Sequence, residues 1–173
     1  MREVFHRLTV QDHRWLDALA RRAAPHWVDR GFRLVTGLGG AAVTIGLTLA
    51  LIALPATRHL GLVAGMATIV SHLGVQTLKR LVVRARPSTR WPHVTALAAI
   101  PDDFSFPSGH ACASMALAMA VLLIEPLAGI PALGLAFLVG ASRVYLRVHY
   151  VTDVVVGQVL GAGAALLAGL SLP

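Results

Sequence analysis

His149 and Asp153 stand four residues apart, a spacing that sets two side chains on one face of a helix. A carboxylate placed in this way can orient an imidazole and tune its charge, which makes the His a general base or a nucleophile. Arg143 precedes His149 by six residues. That is too far for a helical neighbour, so it reaches the same spot only if the chain turns between them. Alone, these residues also fit a helix end with its usual polar caps. Two further stretches shift the reading toward phosphate chemistry: Lys79 with Arg86-Pro87 after six intervening residues, and Pro107-Ser108-Gly109-His110 ahead of a long apolar run. A multiply charged anion needs cations and backbone N–H groups around it. Lys79 supplies a point charge, while Arg86 and Arg143 offer planar forks matched to phosphate oxygens. Ser108-Gly109 at a helix start directs free N–H groups and the positive end of the helix dipole at the anion. Two imidazoles, His110 and His149, suit an in-line displacement with two proton transfers near neutral pH.

In this order and spacing, Lys-x6-Arg-Pro, Pro-Ser-Gly-His and Ser-Arg-x5-His-x3-Asp resemble the motifs of the type 2 phosphatidic acid phosphatase (PAP2) superfamily. That group contains lipid phosphate phosphatases, glucose-6-phosphatase and the vanadium haloperoxidases. The three blocks are complete and run from Lys79 to Asp153, just under half of the 173 residues. The resemblance implies that His149 attacks phosphorus to form a phosphohistidine, with Asp153 as its orienter. It implies that His110 protonates the leaving alcohol and later activates water, and that Lys79, Arg86, Ser108, Gly109 and Arg143 bind the phosphoryl group. No metal or other cofactor is expected, because no carboxylate cluster accompanies these His residues and the cations already supply charge stabilisation.

The elements that must position these residues are membrane helices. The chain is 56% apolar and 13% charged, with a mean hydropathy of +0.71, about half the charge of a soluble domain. An all-α, polytopic helical bundle of about five spans is predicted. They run over Leu34–Leu54, Leu60–Leu78, Ser108–Ile124, Leu127–Val144 and Val151–Leu170, each near the length a bilayer core requires. Residues 1–33 form a separate segment ahead of the phosphatase-like domain at 34–173. There Val10, Trp15, Leu16, Leu19 and Ala23 fall on one helical stripe, while Arg14, Asp17, Arg21 and Arg22 lie largely elsewhere. This reads as an amphipathic helix in the interface; a plain solvated helix is the alternative. Gly157, Gly161 and Ala165 recur every four residues, as on a close-packing helix face. Five spans return all three motif blocks to one side of the membrane.

Other residues carry weaker signals. His72 and Gln76 share the Lys79 face, where they line a cavity below the site or bond between helices. Asp102 and Asp103 read as loop solvation, and Cys112 as a small packing residue. A single cysteine excludes an internal disulfide and a Cys-based zinc site. The net charge of +7 could suggest nucleic acid, but the basic residues flank apolar runs with little aromatic interleaving, so membrane lipids and a lipid phosphate substrate are the expected partners. A membrane phosphatase or pyrophosphatase for lipid phosphates, of phosphatidic acid, phosphatidylglycerophosphate or polyprenyl phosphate type, is the leading function. An anion channel with a phosphate-selective basic ring is the alternative, and that role has no need of a His-x3-Asp pair. Five spans also argue against a soluble haloperoxidase. With five spans, fourteen of the fifteen Lys and Arg residues fall on the side of the site, and only Arg58 on the other. The positive-inside rule then favours a cytoplasmic-facing site, whereas the resemblance implies an additional early span and an extracytoplasmic site. Neither the lipid nor the oligomeric state is written in these motifs.

Overall fold

A computed structural model of the chain describes residues 11–18, 24–100 and 102–172. Residues 11–18 are helical. Beyond them we label six helices: α1 His26–Gly37, α2 Ala41–Ala53, α3 Arg58–Val82, α4 Gly109–Ile124, α5 Pro126–Tyr145 and α6 Val151–Ser171. A single helical turn, Pro87–Arg90, interrupts the long connection between α3 and α4.

The bundle is built around α4, which packs on α3, α5 and α6. Its core is made of small side chains: Ala64 and Ala67 of α3, Ala116 and Ala120 of α4, Ala165 and Ala168 of α6. Large apolar residues such as Leu127, Phe137, Val159, Leu167 and Leu170 point outward instead. This is the packing that lipid allows, since oil-facing Leu costs nothing and small residues let backbones approach. The predicted small-residue face on α6 lies directly against the backbone of α4. A Cβ on Gly157 would stand 2.5 Å from the Ser108 carbonyl oxygen, and Gly161 faces the backbone of Cys112 and Ala116. Cys112 is buried and 1% exposed, as a packing residue should be.

The helices follow the predicted span bounds closely except in the first. The first is not continuous: α1 and α2 meet at Leu38–Gly40 with a bend of 46°. The bend falls on Gly37-Leu38-Gly39-Gly40, a glycine-rich run that weakens a helix, and Gly39 there approaches its neighbours closely: a Cβ on it would lie 2.6 Å from Val139 Cγ1 and 2.8 Å from the His110 carbonyl oxygen. The third, α4, has 16 residues, roughly 24 Å of helix against a hydrocarbon core of about 30 Å. Helices α3, α5 and α6 are each long and apolar enough to cross a bilayer, and the α1–α2 pair makes a fourth as a broken span.

Of the amphipathic stripe near the start, Val10, Leu19 and Ala23 lie outside the described residues. Leu16 is buried within the protein, and Trp15 is 47% exposed. Asp12 is only 2% exposed, because its carboxylate accepts hydrogen bonds from Arg84 Nη2 at 2.8 Å and from the Thr152 hydroxyl. Residues 11–18 therefore pack on the protein at this point through a buried acid.

Candidate active site

The three motif blocks meet at one end of the bundle. Lys79 comes from the last turn of α3, Ser108 and His110 from the start of α4, Arg143 from the last turn of α5, and Asp153 from the first turn of α6. His149 sits in the tight connection between α5 and α6. There Arg147 takes a positive φ of 60°, and the N–H groups of Val148 and His149 both donate to the Arg143 carbonyl. That turn is what brings Arg143 and His149 together despite their non-helical spacing.

His149 is 2% exposed, and its ring is held from behind. Nδ1 is 2.7 Å from the Ser105 carbonyl oxygen and 3.4 Å from Asp153 Oδ2. Two acceptors on this side place the proton on Nδ1, which leaves the lone pair on Nε2. Burial pushes the imidazole down to about 4; Asp153 opposes that shift, and Arg86 and Arg143 reinforce it. The ring is thus neutral, with a free lone pair, throughout the neutral range. Asp153 is completely buried. Its Oδ2 also accepts from the Tyr150 N–H at 2.9 Å, and its Oδ1 from Arg84 Nη1 at 2.6 Å. The sequence predicts Asp153 as the orienter; the Ser105 carbonyl shares that task.

Cations face the other side of the ring. Arg86 Nη1 is 3.2 Å from His149 Nε2 and donates to the Val148 carbonyl at 2.8 Å. Arg143 is 2% exposed. One of its nitrogens, Nη1, donates to Thr36 Oγ1 at 2.8 Å, while Nε and Nη2 are buried without a hydrogen-bond partner among the described residues. Two buried guanidinium donors with nothing to bind are costly unless a ligand completes them. Ser108 caps α4, its hydroxyl accepting from the Ala111 N–H.

Asp102 corrects the sequence reading. Instead of solvating its loop, it lies between two of these cations: Lys79 Nζ donates to Oδ2 at 2.5 Å, and Arg86 Nη2 to Oδ1 at 2.8 Å. Burial would raise this carboxyl, but Lys79 and Arg86 outweigh it and hold it below the usual carboxylate value. Asp103, by contrast, is exposed.

Arg84 and Ser105 carry no signal of their own in the motifs. A short antiparallel bridge, Ala85 with Phe104, pairs the two loop strands, and the Ser105 N–H donates to the Arg84 carbonyl at 2.8 Å. Extended backbone has a two-residue period, so Arg84 and Arg86 share a side and bracket the His149–Asp153 pair. Alternation of Arg, Ala and Arg was the one available clue.

A cavity of about 570 Å³ leads away from these groups. Lys79, Arg86, Asp102, His110 and His149 line its polar end; Ala41, Ile45, Ile69, Leu73 and Val75 of α2 and α3 line the rest, together with His72 and Gln76. The latter two line the cavity below the site, one of the two readings the sequence leaves open, and their side chains lie 3.4 Å from each other within α3. The cavity combines an anion-binding end with an apolar barrel.

The PAP2 superfamily model matches residues 56–171. Decaprenylphosphoryl-5-phosphoribose phosphatase of Mycobacterium tuberculosis is 40% identical over 146 residues, 78% of either chain. An undecaprenyl-diphosphatase of Sulfolobus acidocaldarius is 31% identical over 131 residues, covering 75% of this chain and 63% of that one. Among solved structures, the PAP2-type phosphatidylglycerolphosphate phosphatase of Bacillus subtilis superposes with a TM-score of 0.76 at 28% identity, over 92% of this chain and 83% of the other.

Proposed function

This chain belongs to the PAP2 superfamily and is a membrane phosphatase, and from that premise we propose that it hydrolyses a polyprenyl-linked phosphate through a phosphohistidine on His149. The observation that carries this reading is the setting of His149: Nδ1 tied back to Ser105 and Asp153, Nε2 facing Arg86 on the wall of the cavity. The 40% identical relative, which acts on a decaprenylphosphoryl sugar phosphate, and the apolar walls of the cavity support a long isoprenoid tail.

The phosphoryl group enters the space that Asp102 shares with Lys79 and Arg86, and the two free nitrogens of Arg143 take further oxygens. His149 Nε2 attacks phosphorus, and the ester oxygen leaves with a proton from His110. Water then attacks the phosphohistidine, giving up its proton to His110, and phosphate departs. The positive charge at the anion is supplied by Lys79, Arg86 and Arg143, so the reaction at phosphorus needs no metal. The charge asymmetry of the chain supports a site that faces the cytoplasm.

Detergent-purified protein, assayed for phosphate release on a panel of polyprenyl and glycerolipid phosphates, should turn over the polyprenyl substrates best. His149→Ala should abolish turnover and the acid-labile phosphoenzyme. His110→Ala should still bind vanadate but turn over ~10²–10⁴-fold more slowly, the usual contribution of a positioned acid. Full activity in His149→Ala would overturn the assignment.

A further inference from the structure

Away from the phosphate cradle, a second cluster joins residues 11–18 to the loop that follows Arg90. Asp17 Oδ1 is 3.1 Å from His93 Nε2, and Asp17 Oδ2 is 3.4 Å from His13 Nδ1. The three ligand atoms all lie within 4.8 Å of one another. The Trp91 ring packs against the His13 imidazole at 3.9 Å between centroids, which limits how that ring can turn. We propose that His13, Asp17 and His93 form a binding site for a divalent cation of the zinc class, distinct from the site of phosphoryl chemistry.

The distances fit such an ion. Metal–ligand bonds of about 2.0–2.1 Å in a tetrahedron place neighbouring donors roughly 3.3 Å apart; each imidazole nitrogen stands near that distance from one of the two Asp17 oxygens, and one donor atom per residue can be chosen with all three within 4.8 Å. The donor set of two imidazoles and one carboxylate suits Zn²⁺, Co²⁺ or Ni²⁺, whereas Mg²⁺ and Ca²⁺ prefer all-oxygen shells. His13 and Asp17 come from one helix face at i and i+4, and His93 comes from a separate segment, so the ion would cross-link the two. His93 is 58% exposed, which provides an entry path and leaves the fourth position open to water. The linkage has a structural consequence. Asp12, adjacent to His13 in the chain, holds Arg84 Nη2 at 2.8 Å, and Arg84 Nη1 holds Asp153. A metal staple at His13 would therefore steady the carboxylate behind His149 without touching substrate.

Full-length, tag-free protein in detergent, stripped with a chelator, should be titrated with Co²⁺ and then Zn²⁺. One Co²⁺ per chain should bind with the intense visible absorption of four-coordinate cobalt and be displaced by Zn²⁺, which should also raise Tm. His93→Ala, at an exposed position, and Asp17→Asn should each weaken binding by at least about tenfold. Absence of stoichiometric binding, or equal affinity in wild type and His93→Ala, would overturn the proposal and leave the cluster as an ion-paired triad only. Because the readouts are absorption, stoichiometry and Tm, a failure to find the phosphatase substrate would not affect the outcome.

Discussion

Asp102 and His149 both contact Arg86, through different nitrogens. Asp102 takes Lys79 Nζ and Arg86 Nη2, and His149 Nε2 lies beside Arg86 Nη1. The Asp102 side chain is 40% exposed, so solvent screens the pair and its worth is modest, ~1 kcal/mol. Replacing it by the neutral amide, Asp102→Asn, should free both cations and tighten vanadate binding by about fivefold, the equivalent of that energy. Weaker vanadate binding in this variant, read from inhibition constants, would mean that Asp102 positions the cations instead of competing for them. At this scale the sequence was informative where a residue acts through its side chain within a motif: Lys79, Arg86, His110, Arg143, His149 and Asp153 all converge. It was silent where a residue acts through its backbone, as Ser105 does, or through a loop with no periodicity, as Asp102 does. No pattern of residue types distinguishes a carbonyl aimed at an imidazole from one aimed at water.

Helix contacts set where these side chains stand. Gly157 places α6 against the Ser108 carbonyl at the very start of α4, so the spacing of this one crossing fixes Ser108 and His110 relative to Asp153. Gly157→Ala drives a methyl into backbone that has no rotamer to yield. It should cost ~1–3 kcal/mol and lower activity, measured as a drop in Tm and in kcat. Gly163→Ala, two residues past Gly161 in the same helix with nothing within 4 Å of the added carbon, should be neutral or slightly stabilising. Equal effects from the two would show that packing on α4 is not what Gly157 provides. The four-residue period of small residues made this face legible in the sequence. Apolar length alone, read through Leu38–Gly40, passes over the break between α1 and α2, although Gly37, Gly39 and Gly40 mark a weak point in a helix.

For the whole molecule, the ends of α3, α4, α5 and α6 that carry the site form one polar cap on an otherwise lipid-facing bundle. Which compartment that cap faces follows from charge, and the proposed answer is the cytoplasm. Thr89, exposed in the turn after Arg86, is a suitable reporter, and the lone native cysteine, Cys112, is buried. In intact cells, Thr89→Cys on a Cys112→Ala background should stay unlabelled by a membrane-impermeant maleimide until lysis; labelling beforehand would place the site outside. Composition made the bilayer legible, since a chain this apolar has no soluble alternative. It overstated the regularity of the first span, which the structure breaks between Gly37 and Ala41, whereas the short α4 ends at Ile124 as its predicted bounds require.

The resting contact of Asp102 also bears on what the enzyme ignores. A site at the membrane surface is bathed in ordinary phospholipids, whose phosphodiesters each carry a single negative charge and vastly outnumber any substrate. Exchanging the Asp102 carboxylate for such a monoanion gains no charge at Lys79 and Arg86. Exchanging it for a terminal phosphate, which carries close to two charges near neutral pH, does. If substrate displaces Asp102, as the tighter vanadate binding expected of Asp102→Asn would indicate, the carboxylate acts as an electrostatic filter: bulk lipid is held at parity with a residue already in place, and only a more highly charged headgroup has a net reason to enter.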